Sequence, residues 1–245
     1  MGKNILKYAF RNLAKRIRNL AKRILSCLTW DQWHKQSWSQ EGEDMVLSRI
    51  FQGKNTGFYV DVGAHHPKRF SNTHFFYRRN WSGINIDAMP NSMQLFKKWR
   101  PRDINLEVGV AHLSGTLDYF VFNEPALNGF SSELSSERDG AEDKYFIKEI
   151  VKIDVLPLAE IFAKNLGEKK IDFMSVDVEG LDFDVIKSND WVKYRPKIVL
   201  AEILKSTLQD LENDLLAKFM KKIGYEIFAK TVNTVFFIDT QDDSA

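Results

Sequence analysis

The chain has 245 residues, 44% of them hydrophobic and 13% aromatic, enough for one sizeable core plus an appendage and too apolar for a disordered chain. Its formal charge is +2, but residues 1–30 hold eight Lys/Arg and no acid, leaving 27 basic against 33 acidic side chains beyond them. A basic arm on an acidic body argues against a nucleic-acid-binding core, and the single cysteine, Cys27, allows neither an internal disulfide nor a cysteine-based zinc site.

No run of about 18 apolar residues is present, and the N-terminus lacks a secretory signal pattern, so a cytoplasmic protein is expected. In the arm, Leu6, Phe10, Leu13, Ile17, Leu20 and Ile24 alternate in steps of four and three, with Arg and Lys on the other faces. The six-residue string starting at Asn12 recurs at Asn19. A coiled coil would set like charges against each other. The expectation is a basic amphipathic helix over residues 1–28 lying on an anionic membrane surface, with packing on a protein as the alternative. Trp30, Trp33 and Trp38 follow and read as the place where the arm meets the core.

Beyond the arm, strand and helix patterns alternate. A helix is expected from Glu41 to Phe51, closing at Gly53. Strands are expected at Gly57–Val62, Gly83–Asp87, Ile104–Val110, Leu117–Phe122, Phe146–Ile153, Ile171–Asp177, Lys197–Ile203, Tyr225–Lys230 and Thr234–Ile238. Helices are expected at 71–80, with Ser71 as cap, and at Leu156–Asn165, Asp182–Lys187 and Leu208–Ile223. This alternation predicts an α/β fold with a mostly parallel sheet covered on both faces, ending in an antiparallel hairpin. The turn-rich segment Phe122–Ser136 reads as a loop that could close over a substrate, with Ser131 and Ser132 as possible contacts.

In such a sheet, ligands bind beyond the carboxyl ends of the strands. Phe58-Tyr-Val-Asp61-Val-Gly63-Ala64 and Gly83-Ile-Asn-Ile-Asp87 supply a strand ending in Asp-x-Gly and a second strand ending in an acid, the pair that holds a nucleoside ribose. After Gly63 come Ala64, His65, His66 and Pro67, without the further glycines a pyrophosphate needs, and no GxxxxGK[ST] loop occurs. A phosphate-free cofactor such as S-adenosylmethionine is therefore expected over NAD or a nucleoside triphosphate.

Several ordered motifs then agree: Ser39-Gln40-Glu41-Gly42-Glu43-Asp44, Gly57 to Pro67, Ser71-Asn72-Thr73, Trp81 to Asp87, and Val176-Asp177-Val178-Glu179-Gly180. Over residues 38–204 the chain resembles the FkbM family of methyltransferases. The resemblance implies the Rossmann-like class I methyltransferase fold with seven strands over 38–245, S-adenosylmethionine as donor, and O-methylation of a sugar or polyketide hydroxyl. It assigns Asp61 and Gly63 to the first cofactor motif, Asp87 to the ribose, and Asp177 and Glu179 to the acidic motif of a later strand. Gln40, Ala64, Val110 and Ala111 complete the expected cofactor contacts.

Methyl transfer to a hydroxyl needs alignment and removal of one proton. Asp177 is the expected base, with Glu179, His65 and His66 as other candidates. Alternatively, Asp177, Glu179 and Glu202 could surround a divalent cation. The expected acceptor is a glycan or lipid-linked saccharide, reached from the inner face of the membrane. The competing reading is a non-catalytic nucleoside-binding module that recruits a partner.

Overall fold

The computed structural model describes residues 34–204 and 206–241. The expected arm helix, Trp30 and Trp33 lie outside them. Residues from Ser37 onward form one compact unit, and no helix among the described residues is long and apolar enough to cross a membrane.

A seven-stranded sheet is built from β1 (Phe58–Val62), β2 (Ser82–Asp87), β3 (Ile104–Glu107), β7 (Phe173–Val176), β8 (Ile198–Glu202), β9 (Tyr225–Lys230) and β10 (Thr234–Asp239). Its strand order is β3-β2-β1-β7-β8-β10-β9. All neighbouring pairs are parallel except those of β10, which runs antiparallel to β8 and β9. The mostly parallel sheet with its antiparallel C-terminal hairpin is the architecture expected from the sequence.

Side-chain alternation along β1 sorts the core into two layers. Phe58, Val60 and Val62 join Ile84, Ile86, Met174 and Val176 in one layer, which takes in Leu158, Ile161 and Phe162 of helix Leu158–Asn165 and Val185 and Ile186 of helix Asp182–Lys187. Tyr59 points the other way, into a cluster with Leu47, Phe76, Trp81, Phe173 and Phe236 beneath helices Glu43–Ile50 and His74–Tyr77. Trp38 packs on this second side, edge-on to His74 at 5.2 Å and beneath the Arg78 guanidinium at 4.9 Å.

Several boundaries differ from expectation. The strand read as Ile104–Val110 breaks at Val108, and its end, β4 (Gly109–Val110), leaves the main sheet. There it pairs with β6 (Ile147–Leu156), which pairs antiparallel with β5 (Gly115–Phe122) in a separate three-stranded sheet. Helix 71–80 shortens to His74–Tyr77, although Ser71 Oγ does accept the His74 N–H at 3.1 Å. Helix Leu208–Ile223 starts only at Leu215, because the Asp214 carboxylate caps the Ala217 N–H at 2.9 Å. Helix Met93–Trp99 is an addition, burying only Met93 and Phe96.

Candidate active site

The order of the sheet reverses at β1, between β2 and β7, and the crevice opens beyond the ends of these strands. Gly63, the first residue past β1, has φ 80 and donates to the Ile86 carbonyl at 2.9 Å. A Cβ there would lie 1.7 Å from the Asp177 carbonyl oxygen. Glycine is thus required both by the left-handed backbone and by the closeness of the β7 end.

Asp87 ends β2. Its Oδ2 accepts the His65 N–H at 2.8 Å and its Oδ1 the Met89 N–H at 2.8 Å, which fixes the carboxylate at the cleft wall. Burial raises its pKa, and the two amide donors oppose the rise. On the far side stand Val110 and Tyr119. Phe130 packs edge-on to Tyr119 at 4.8 Å, and a Cβ on Gly109 would meet Phe130 at 2.7 Å. The cleft spans about 750 Å³, part of it open to solvent.

Gln40 enters the cleft from a tightly tied N-terminal segment. Asp44 accepts hydrogen bonds from Ser37 Oγ, Ser39 Oγ and the Trp38 N–H at 2.6–2.9 Å. Glu41 accepts from Thr231 Oγ1 and from the Asn233 backbone and side-chain amides at 2.8–2.9 Å. The acids of the Gln-Glu-Gly-Glu-Asp run therefore anchor the segment on the helix start and on the β9–β10 turn.

Beyond β7 and β8 four acids gather. Asp177 is exposed at the cleft, yet its carboxyl is raised well above the carboxylate range, first by desolvation and then by Glu202 and Glu179. Asp182 is raised well for the same first reason, then by Asp177. Glu202 is pushed up to about 8 by burial, then by Glu179 and Asp182, and its Oε2 has no hydrogen-bond partner. Glu179, in the left-handed region at φ 55, pairs with Arg138 at 2.6 Å. Burial raises its pKa and Arg138 opposes the rise. Among the described residues no three His, Cys, Asp or Glu side chains are placed to hold a metal ion. The cation arrangement around Asp177, Glu179 and Glu202 is thus not built, because Glu179 is turned to Arg138.

The expected site residues divide. Gln40, Gly63, His65, Asp87, Val110, Asp177 and Glu179 all line the cleft; Asp61, Ala64 and Ala111 do not. Asp61 shares its strand face with Tyr59, not with the cleft end. It accepts Thr73 Oγ1 at 2.6 Å, and that oxygen in turn accepts from buried Arg100 at 2.6 Å. Ala64 packs against Met93 and Phe96, and the Ala111 N–H bonds to Leu156 beside β4 and β6. His65 presents its ring to the cleft, its pKa lowered by burial and then by Arg69 and His66. His66 is a loop lock: Nδ1 accepts the N–H groups of Lys68 and Arg69 at 3.0 and 2.9 Å.

Sequence reasoning placed a covering loop at 122–136 but not its contents. The segment contains a short 3₁₀ turn at Pro125–Leu127 and helix Ser132–Arg138. Asn128, Gly129 and Phe130 face the cleft, whereas Ser131 caps the Leu134 N–H at 3.2 Å. A Cβ on Gly129 would stand 3.1 Å from Glu179 Cβ, so this cover rests directly on the acidic loop. Tyr119, Phe130 and Arg138 carried no sequence signal, since their roles depend on which strands pair.

A model of the methyltransferase FkbM domain matches residues 61–227, more than half of the chain. The chain belongs to the FkbM methyltransferase family. Family membership implies S-adenosylmethionine as methyl donor, and the cleft fits it: Gly63 and Asp87 both line it, and the Asp87 carboxylate is held there by two backbone amides. No curated protein matches. Among solved structures, a TehB-like SAM-dependent methyltransferase from Corynebacterium glutamicum is similar at 10% identity, over 94% of this chain and 97% of that one, with a TM-score of 0.41. A "putative RNA methyltransferase" from Pyrococcus horikoshii is similar at 8% identity, over 88% and 96%, with a TM-score of 0.42. The assignment rests on the family match.

Proposed function

We propose that this FkbM methyltransferase methylates a hydroxyl of a sugar or lipid-linked glycan, with Asp177 accepting the proton. The observation carrying this reading is that Asp87 and Asp177 face one cleft from either side of Gly63. Asp87 would hold the ribose hydroxyls, Val110 with Phe130 would flank the adenine, and Gln40 and Gly63 would border the amino-acid end. When bound, S-adenosylmethionine supplies an electrophilic methyl group on a cationic sulfur.

Transfer of that methyl group to a hydroxyl would release one proton, which the Asp177 carboxylate would take up. Desolvation and the neighbouring Glu202 and Glu179 raise its proton affinity, which would make the ionised carboxylate a stronger base than a free aspartate. Arg138 holds Glu179 in place beside it. His65 is the second candidate to take up the proton, since its lowered pKa keeps the ring neutral. Residues 1–28 would keep the enzyme at an anionic membrane face on the cytoplasmic side, because a basic amphipathic helix gains from both apolar burial and charge attraction.

Isothermal calorimetry with S-adenosylmethionine tests the core of this reading; absence of saturable binding would overturn it. Transfer of a labelled methyl group to cell-envelope glycan fractions tests the acceptor class. Deletion of residues 1–28 is expected to abolish co-sedimentation with anionic vesicles, and unchanged sedimentation would reject the membrane role.

A further inference from the structure

Phe70 stands out among the aromatic residues. It lines the cleft yet stays 42% exposed, and its backbone is left-handed at φ 55. For a bulky side chain this conformation is a genuine outlier with a cost in backbone strain. Packing in the core does not repay that cost. The clamps on both sides of the residue do: His66 Nδ1 holds the N–H groups of Lys68 and Arg69, Arg100 holds the Pro67 carbonyl at 2.7 and 2.9 Å and Ser71 Oγ at 2.6 Å, and the Ser71 N–H bonds to the Trp38 carbonyl at 3.0 Å. The loop is built to keep an aromatic ring at the cleft mouth.

Around that ring the groups are polar and planar. The His65 ring lies within 20° of parallel to it, 6.4 Å away between centroids. The Arg69 guanidinium sits 4.4 Å from the Phe70 ring centroid and reaches Glu124 of the covering loop at 3.3 Å. An aromatic surface flanked by a guanidinium–carboxylate pair suits a ligand with an apolar C–H face and a rim of hydroxyls. A pyranose has both: its C–H bonds meet the ring, and its hydroxyls can accept from Arg69 and donate to Glu124. A polyanionic acceptor is less well served, because Glu124 and the acid cluster beyond Glu179 oppose it.

We infer that Phe70, flanked by His65 and the Arg69–Glu124 pair, is the platform on which a pyranose ring of the acceptor lies for methylation. This rests on the methyl-transfer reading given above and adds the residues that select its substrate.

The test uses the full chain with S-adenosylhomocysteine present. Saturation-transfer difference NMR is recorded with the methyl pyranosides of glucose, galactose, mannose, rhamnose and N-acetylglucosamine, with uridine and guanosine as competing ring ligands. At least one pyranoside is expected to bind saturably through its ring C–H protons. Phe70→Gly is expected to weaken it by about tenfold, and Phe70→Trp to retain it. Glycine accepts φ 55, so the Phe70→Gly protein is expected to unfold at no lower temperature than the parent; a Phe70 that serves only packing would lower it. Absence of saturable binding by every pyranoside, binding unaffected by Phe70→Gly, or binding of the nucleosides alone would each overturn the inference. Calorimetry with S-adenosylmethionine on the same proteins without S-adenosylhomocysteine separates the two readings: cofactor binding without pyranoside binding sinks only the platform, and absence of cofactor binding by the parent protein sinks the methyl-transfer reading.

Discussion

The turn at Gly63 and the carbonyl of Asp177 are in such close register that no side chain fits between them: a Cβ on Gly63 would stand 1.7 Å from that oxygen. The Asp177 N–H donates to the Val62 carbonyl at 3.0 Å, so the cofactor turn and the acidic loop move as one piece. Gly63→Ala is expected to destabilise the fold by roughly 1–3 kcal/mol from the backbone conformation alone, before any clash is relieved, and to abolish cofactor binding. Urea unfolding and calorimetry check both effects; an alanine variant with parental stability and affinity would contradict the geometry.

Asp87 gives a more graded test. Asp87→Asn keeps the shape and one acceptor oxygen but loses the charge, whereas Asp87→Ala also leaves the His65 and Met89 amides without their partners. The alanine variant is expected to lose about 1–3 kcal/mol of stability per orphaned group in addition to cofactor affinity. The asparagine variant turns its NH2 toward one of the two N–H groups, so it should lose about 1–3 kcal/mol for that one orphaned group in addition to affinity. Equal affinity in the three proteins would show that Asp87 does not touch the ribose.

The acid cluster makes stability depend on pH in an unusual direction. Glu202 has an ordinary value of 4.5 and a folded value of about 8, and Asp177 and Asp182 are raised well above 3.8. Between the unfolded and folded values the native state binds more protons than the unfolded chain, so these groups destabilise the protein as pH rises. The melting temperature of the cofactor-free protein is expected to fall from about pH 4.5 toward pH 8. Glu202→Gln should flatten the slope. A melting temperature that climbs through this window would refute the clustering.

The same cluster sets the pH profile of catalysis. If Asp177 is the base, kcat/KM rises with pH until its carboxyl ionises. Glu202 is the largest charge opposing that ionisation. Removing it in Glu202→Gln is expected to move the rising limb to lower pH, whereas Asp177→Asn should remove the limb and most of the rate. A profile indifferent to both substitutions would assign the proton to another group, with His65 the next to test.

Arg138 joins the cover to the acidic loop. Arg138→Met keeps much of the side-chain volume but frees Glu179, whose pair is about one-fifth exposed on each side. Loss of roughly 1–2 kcal/mol is expected, lower than for a fully buried pair because solvent screens it. Helix Ser132–Arg138 should then exchange its amide hydrogens faster while the seven-stranded sheet does not. Unchanged exchange in that helix would show that the ion pair does not hold the cover.

Much of the architecture is written in short-range sequence. The short apolar runs at Phe58–Val62 and Ser82–Asp87 and the glycine turn after the first sufficed to expect these strands, because strand composition and turn chemistry are local properties. Tertiary structure decided the rest. Asp61 looks like a cleft residue by its distance from Gly63, yet the strand period carries it to the face of Tyr59, where Thr73 and Arg100 receive it. Strand patterns at Gly115–Phe122 and Ile147–Leu156 do not specify partners, so only the fold shows that they pair with each other and carry Tyr119 and Phe130 to the cleft wall. The proton affinities of Asp177, Asp182 and Glu202 arise from desolvation where the ends of β7 and β8 converge. No local pattern encodes that, since burial is set by chain segments that meet only when the molecule folds.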